Sequence, residues 1–188
     1  MKQLTKIGVL TITLALILAT SCAKTQDPFT ISKQNIGFLT DSTLVQDLAT
    51  VFPNDSVVNP IDGDDFAGSS SDIIIYEKGG KQLLILSPAQ VLDATATIRT
   101  IRVIDERFKT EKGLTSTSTF KEIKDNYKIS GIENTLGSVI VSVDDINAYF
   151  TIDRKELPSE LRFDLDSKIE AIQIPETAKI KNFFIQWY

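Results

Sequence analysis

Histidine is absent from this sequence, and cysteine, methionine and tryptophan occur once each. Without histidine there is no Ser-His-Asp or Cys-His catalysis and no imidazole ligand for a metal. A single cysteine leaves neither an internal disulfide nor a cysteine-rich zinc site. The most apolar stretch, Ile7 to Leu18, falls well short of the roughly 20 residues that a stable transmembrane helix needs. Positive charge is in deficit: 20 Lys and Arg stand against 25 Asp and Glu, a net charge of −5. A chain of that sign repels phosphate backbones, so a nucleic-acid partner is disfavoured.

What is present is enough for a folded body. The chain has 188 residues, 42% hydrophobic and 24% charged, room for one domain or two small ones at roughly 100–150 residues each. Its amino terminus has the pattern of an export signal. Lys2 and Lys6 supply a basic start, and Ile7 to Leu18 supply an apolar core of signal-peptide length. Cys22 follows directly after Ala19-Thr20-Ser21. This resembles a bacterial lipobox, in which the cysteine thiol is lipidated and the peptide is cut just before it. A conventional secretory peptide cut near the same place is the alternative. The resemblance implies a signal peptide over 1–21 and an acylated Cys22 whose buried CH₂ groups contribute about 0.8 kcal/mol each. Ala23 in place of Asp resembles lipoproteins released to the outer membrane. The expected address is therefore the cell outer membrane, lipid-anchored and facing the periplasm. Residues 22–28 make a polar tether, of which Ala23 to Asp27 reach about 17 Å when extended.

The mature chain reads as two related modules, 29–106 and 107–188. Gly37 precedes Ser42-Thr43 at the same spacing as Gly113 precedes Ser118-Thr119. Each Ser-Thr is followed by apolar residues at helical spacing: Leu44, Leu48, Val51 and Phe52, then Phe120, Ile123 and Tyr127. Thr119 with Glu122 predicts a capping box. A hairpin pattern follows each helix. Ile73–Tyr76 and Leu83–Leu86 flank Gly79-Gly80, and Ser138–Val143 and Tyr149–Ile152 flank Asp144-Asp145. Thr95–Val103 and Thr177–Ile185 then align as closing strands that break alternation at the same place, as a bulge would. Leu157–Arg162 reads as a Pro-started helical turn, and Phe163 to Ile174 as a further strand. The expected fold is α+β: two tandem related modules, each one helix packed on an antiparallel sheet of three to four strands, sharing an interface or a continuous sheet.

Three stretches carry a family resemblance: Ile36–Val58, Gly79–Gln90, and Ile98–Ile123 with its strand, Asp105, Arg107-Phe108, Gly113 and Ser118-Thr119. Together they look like the envelope-stress (sigma-E)-regulated lipoprotein family. That resemblance implies an outer-membrane lipoprotein built from a duplicated module, and it brings no catalytic residues. A weaker, architectural resemblance is to β-lactamase-inhibitor proteins and to the small lipoprotein of the β-barrel assembly machine.

Candidate chemistry is sparse. Asp62, Asp64 and Asp65, with Asn59 and Asp72 nearby, alternate as calcium ligands do, but Phe66 and Ala67 break the EF-hand loop and no Glu closes it. A solvated loop is the better account. Asp144-Asp145 suits a turn rather than a catalytic carboxylate pair. Arg99, Arg102, Arg107, Lys109 and Lys112 form the main basic cluster, interleaved with Asp105, Glu106 and Glu111. It is either a contact for anionic headgroups or glycan carboxylates, or a solvated mixed-charge surface. Ser42 and Ser56 lie in Asp-Ser-Thr and Asp-Ser-Val triplets, which some exported bacterial proteins glycosylate; a cap and a turn explain them equally. At the carboxyl end, alternation puts Phe183, Ile185 and Trp187 on one face and Phe184 on the other. No catalytic, metal or cofactor residues are assigned; the lipidation site is Cys22. The expected function is a non-enzymatic accessory or interaction module in outer-membrane maintenance, bound to the membrane through Cys22 and to an envelope protein partner. A protein inhibitor or small-ligand-binding lipoprotein, using a groove between the modules, is the alternative.

Overall fold

A computed structural model describes residues 26–58, 72–165 and 167–188. Cys22, the signal segment and the Asp62–Asp65 loop lie outside the described residues. The first half contains β1 Thr30–Ile31, β2 Asn35–Ile36, β3 Leu39–Thr40, helix α1 Leu48–Val51, β4 Ser56–Val58, β5 Ile73–Tyr76, β6 Gln82–Pro88 and β7 Ile98–Val103. The second contains β8 Lys109–Thr110, helix α2 Phe120–Asn126, β9 Gly131–Asn134, β10 Ser138–Val143, β11 Ala148–Asp153 and β12 Ile180–Gln186. Eight strands form one antiparallel sheet in the order β4-β5-β6-β7-β12-β11-β10-β9, and four short ones form a second sheet, β3-β2-β1-β8.

This overturns the expected α+β pair of helix-on-sheet modules. The chain is mostly β, with twelve strands in two sheets and two short helices among the described residues. α1 is a single turn. Phe52 leaves helical geometry at φ −115° and ψ 61°, directly ahead of Pro53, whose ring disfavours a helical predecessor. α2 stops at Tyr127, which is fully extended. Helices this short cannot roof a sheet eight strands wide. The small sheet completes the cover, with Ile31, Ile36 and Leu39 buried in the same core as Leu48 of α1 and Phe120 and Ile123 of α2. Its strand β1 pairs in parallel with β8 from the other half of the chain. Phe163 to Ile174 adds no strand among the described residues; Ala171–Gln173 is a 3-10 turn.

The core lies on one face of the long sheet. Ile73, Ile75, Leu84, Leu86, Ile101 and Val103 point into it from the first half, and Val141, Val143, Phe150, Ile152, Phe183 and Ile185 from the second. Each such side chain contributes about 1.5–3 kcal/mol on full burial. In β5 and β10, simple alternation delivers this pattern. In β7 and β12 it does not, because Ile98 and Ile101, like Ile180 and Phe183, are three apart yet all buried. A one-residue shift against β6 falls at Arg99, and one against β11 falls at Lys181. Each is an extra residue that turns the strand over, so that both apolar ends reach the core.

The two halves repeat each other's hydrogen bonds. Val45 N donates to Ala96 O, and Phe120 N to Ala178 O. Thr40 N donates to the Thr43 hydroxyl, and Thr115 N to the Ser118 hydroxyl. Thr43 therefore corresponds to Ser118, one residue away from the alignment that the Gly37 and Gly113 spacing predicts. The reason is turn length: Ile36 pairs with Leu39 across two residues, whereas Thr110 N bonds Leu114 O across three. Only the second half has the predicted capping box, with Thr119 N donating to Glu122 Oε2 at 2.7 Å. At the first helix, Leu44 caps a 3-10 turn, Val45–Asp47, with no side-chain bond.

Candidate functional site

The bulges at Arg99 and Lys181 do more than fill the core. By reversing the strands they put Arg102 and Phe184 on the opposite, outer face. Arg102 pairs with Phe184, with Ile101 facing Ile185 and Val103 facing Phe183 on either side. A half-turn about that central pair exchanges equivalent residues, so the two halves meet as one continuous ladder.

From this centre a row of cross-strand neighbours spans the sheet. Toward β4 it runs from Arg102 to Ile85, Ile74 and Val58. Toward β9 it runs from Phe184 to Tyr149, Ser142 and Gly131. Seven interstrand spacings make it about 34 Å long. Ile74, Ile85, Tyr149, Phe184 and Ile140 beside them are half-buried and belong neither to the core nor to the apolar residues packed against it. The Tyr149 and Phe184 rings stack at 4.7 Å between centroids and 12° between planes. Burial pushes the Tyr149 phenol above its ordinary range, so it stays a neutral hydroxyl at physiological pH.

Charge on this face is as sparse as its apolar character is dense. Asp153, at a strand end, is held by Lys181 at 3.1 Å. Away from it and from the bulge residues, Arg102 is the one charged side chain pointing outward from β5, β6, β7, β12, β11 and β10. Its Nε is shut off from solvent and has no hydrogen-bond partner, alone among buried side-chain polar atoms of the described residues. A buried donor without an acceptor costs about 1–3 kcal/mol.

The rest of the predicted basic cluster is dispersed. Arg107 pairs with Asp105 and Glu77 and lies 4.6 Å from the Phe29 ring centroid. Lys112 sits 4.4 Å over the Tyr127 ring and donates to Asn126 O. Arg99 is exposed at its bulge. Asp105 is wholly covered and accepts from Lys81 and Arg107, both at 2.9 Å. Its carboxyl is held well below the usual range: hydrogen bonds from Arg107 and Lys81 outweigh the cost of burial. A carboxylate clamped by two cations is a structural tie, not a proton carrier.

Asp144 and Asp145 begin a 3-10 turn, where Asp144 accepts from the Ser130 hydroxyl at 2.7 Å. Ser42 is exposed beside the Thr40 hydroxyl, and Ser56 is exposed on the edge strand β4. Trp187 is buried, and its indole donates to Lys33 O at 3.1 Å. A cleft of about 380 Å³ lies beside that turn, lined among others by Lys33, Glu111, Lys112, Tyr127 and Asp145. Its charges are of both signs, and one of its two lysines, Lys112, is already engaged. Among the described residues no three acidic or cysteine groups gather as metal ligands.

Sequence reasoning placed Arg102 in a surface cluster and missed the face. The signal was present in the shared break of alternation, which decides which way Arg102 and Phe184 point.

The architecture is that of a mostly β protein in which a small second sheet and two short helices share one core with the inner face of a long antiparallel sheet. The solved structure of the uncharacterized protein yfeY from Escherichia coli is similar: 17% identity, TM-score 0.53, covering 84% of this chain and 99% of that one. At that identity the likeness shows a shared fold. No protein-family profile and no curated protein matches the chain.

Proposed function

We propose that this chain is a lipid-anchored envelope protein, held at the outer membrane through Cys22, that acts without catalysis by docking a partner on the outer face of its long sheet. The observation that carries the docking reading is the half-buried row centred on Arg102 and Phe184, apolar and aromatic yet outside the core. The largest contiguous apolar patch on a monomer is often the place where a partner binds. The anchor reading rests on the single cysteine after a signal-length apolar run, and the envelope role on the resemblance to envelope-stress-regulated lipoproteins. The ladder from β7 to β12 joins the halves by backbone hydrogen bonds where a ligand groove between modules was the alternative, and this favours a docking surface over a small-ligand pocket.

The test is membrane fractionation with mass spectrometry of the mature amino terminus, beside in-cell crosslinking, for the full chain and Cys22→Ser. The expected result is a first residue Cys22 bearing acyl mass, membrane recovery that Cys22→Ser abolishes, and a reproducible crosslinked partner lost in that variant. An unmodified Cys22 in the mature protein would overturn the anchor.

A further inference from the structure

The central position of Arg102 narrows what the face accepts. A guanidinium amid Ile85, Ile74, Phe184 and Tyr149 is partly desolvated, and its Nε has no acceptor. Hydrogen bonds to a carboxylate are the strong way to satisfy such a group, because the planar fork matches two oxygens. No carboxylate of the described residues reaches it. Among the described residues, negative charge on this face sits at its margins: Asp153 at a strand end, held by Lys181, and Glu133 on the edge strand β9 opposite Ile140.

The shape selects the kind of occupant. Small-molecule sites are concave and enclose most of the ligand, whereas this row is spread along a sheet about 34 Å across, its side chains partly exposed among the described residues. An open surface with aromatic residues and one arginine at its centre has the composition of protein–protein hot spots. A second copy docked symmetrically about the same centre would oppose guanidinium to guanidinium, so the complementary charge must come from elsewhere.

We propose that the partner is a protein that sets an aspartate or glutamate side chain on Arg102, flanked by apolar residues that cover Ile85 and the Phe184–Tyr149 stack. This rests on the docking reading above and adds the chemistry of the contact. Arg102 is the specificity anchor of the face; the apolar neighbours exclude water around the ion pair.

The experiment places a photo-reactive amino acid at Ile85 in the full chain in cells, with Lys155 as an exposed control position, and sequences the crosslinked peptides. It is repeated with Arg102→Lys, Arg102→Gln and Arg102→Glu, each checked for membrane recovery. The expected result is a protein peptide containing Asp or Glu beside apolar residues. Its yield should fall modestly with Arg102→Lys and at least tenfold with Arg102→Gln and Arg102→Glu. Changing the partner's acidic residue to Lys should restore crosslinking to Arg102→Glu. A protein crosslink that none of the Arg102 variants changes, or a peptide without an acidic residue, would overturn this inference and leave the docking face standing. Crosslinks to lipid, glycan or a second copy of this chain would overturn it likewise. Yield at Ile85 no higher than at Lys155 would overturn both readings.

Discussion

Arg107 closes a fork on Asp105: Nε reaches Oδ1 at 3.0 Å and a terminal nitrogen reaches Oδ2 at 2.9 Å. Lys81 joins the same carboxylate from the β5–β6 turn, and Arg107 also holds Glu77 in that turn. The fork thus ties the first hairpin of the long sheet to the segment leaving β7, next to Phe29 at the start of the described chain.

Asp105→Asn is expected to destabilise the protein by about 2 kcal/mol at neutral pH, since both cations are partly exposed and can rehydrate. The carboxyl is depressed in the folded state. Its contribution is therefore complete above the ordinary carboxylate value near 4 and is lost as pH falls through the folded value. Urea melts at pH 7 and pH 3 check this: the gap between native protein and variant should narrow at the lower pH.

Gly37 and Gly113 both have positive φ, +56° and +86°, but only one is crowded. A Cβ at Gly37 would lie 2.1 Å from Pro28 O, whereas at Gly113 it meets nothing within 4 Å. Gly113→Ala should cost about 1 kcal/mol, the strain of left-handed backbone alone. Gly37→Ala should cost about 3 kcal/mol and loosen the segment around Pro28, because backbone must move. Denaturant melts of the two variants separate the terms; equal losses would contradict the contact.

Thr119→Ala should cost about 1 kcal/mol by opening the capping box. Hydrogen bonds from Thr119 hold the Glu122 carboxyl below its ordinary value, so this stabilisation is present above about pH 4.5 and fades on acidification. Thr43→Ala, at the position equivalent to Ser118, leaves no helix cap to lose and should act through its bonds to Thr40 alone. Thermal melts at two pH values distinguish the pair.

Arg154 is buried and bonds carbonyl groups: Thr135 at 3.1 Å, Arg162 at 2.6 Å, Asp164 at 2.8 Å and Leu161, with the Asn134 side chain besides. It is the internal frame of the 157–165 segment. Arg154→Ala should cost about 3 kcal/mol by orphaning several acceptors at once. Arg154→Lys should rescue little, because one ammonium cannot span the same fan. Hydrogen exchange across residues 157–165 should rise in both variants before the long sheet is affected.

The features legible in the sequence were local ones. Gly79 and Gly80 marked a hairpin, and both take positive φ there. Thr119 and Glu122 announced a cap, and the alternation of Phe183, Phe184 and Ile185 announced which side chain faces out. Such features depend on neighbouring dihedrals and on side-chain period, which a few adjacent residues set by themselves. The helix pattern at Leu44–Phe52 was misleading, because periodicity reports a face and not a length, and Pro53 ended the helix after one turn. What only the tertiary structure decided was long-range pairing: β7 beside β12, β1 parallel to β8, and Arg154 reaching back to Asn134 and Thr135. Those choices turn on which distant surfaces bury each other best, and no local window contains both partners. Arg102 shows the division: the bulge that turns it outward is written in its own strand, but the face at whose centre it stands is assembled from strands on both sides of the chain's midpoint.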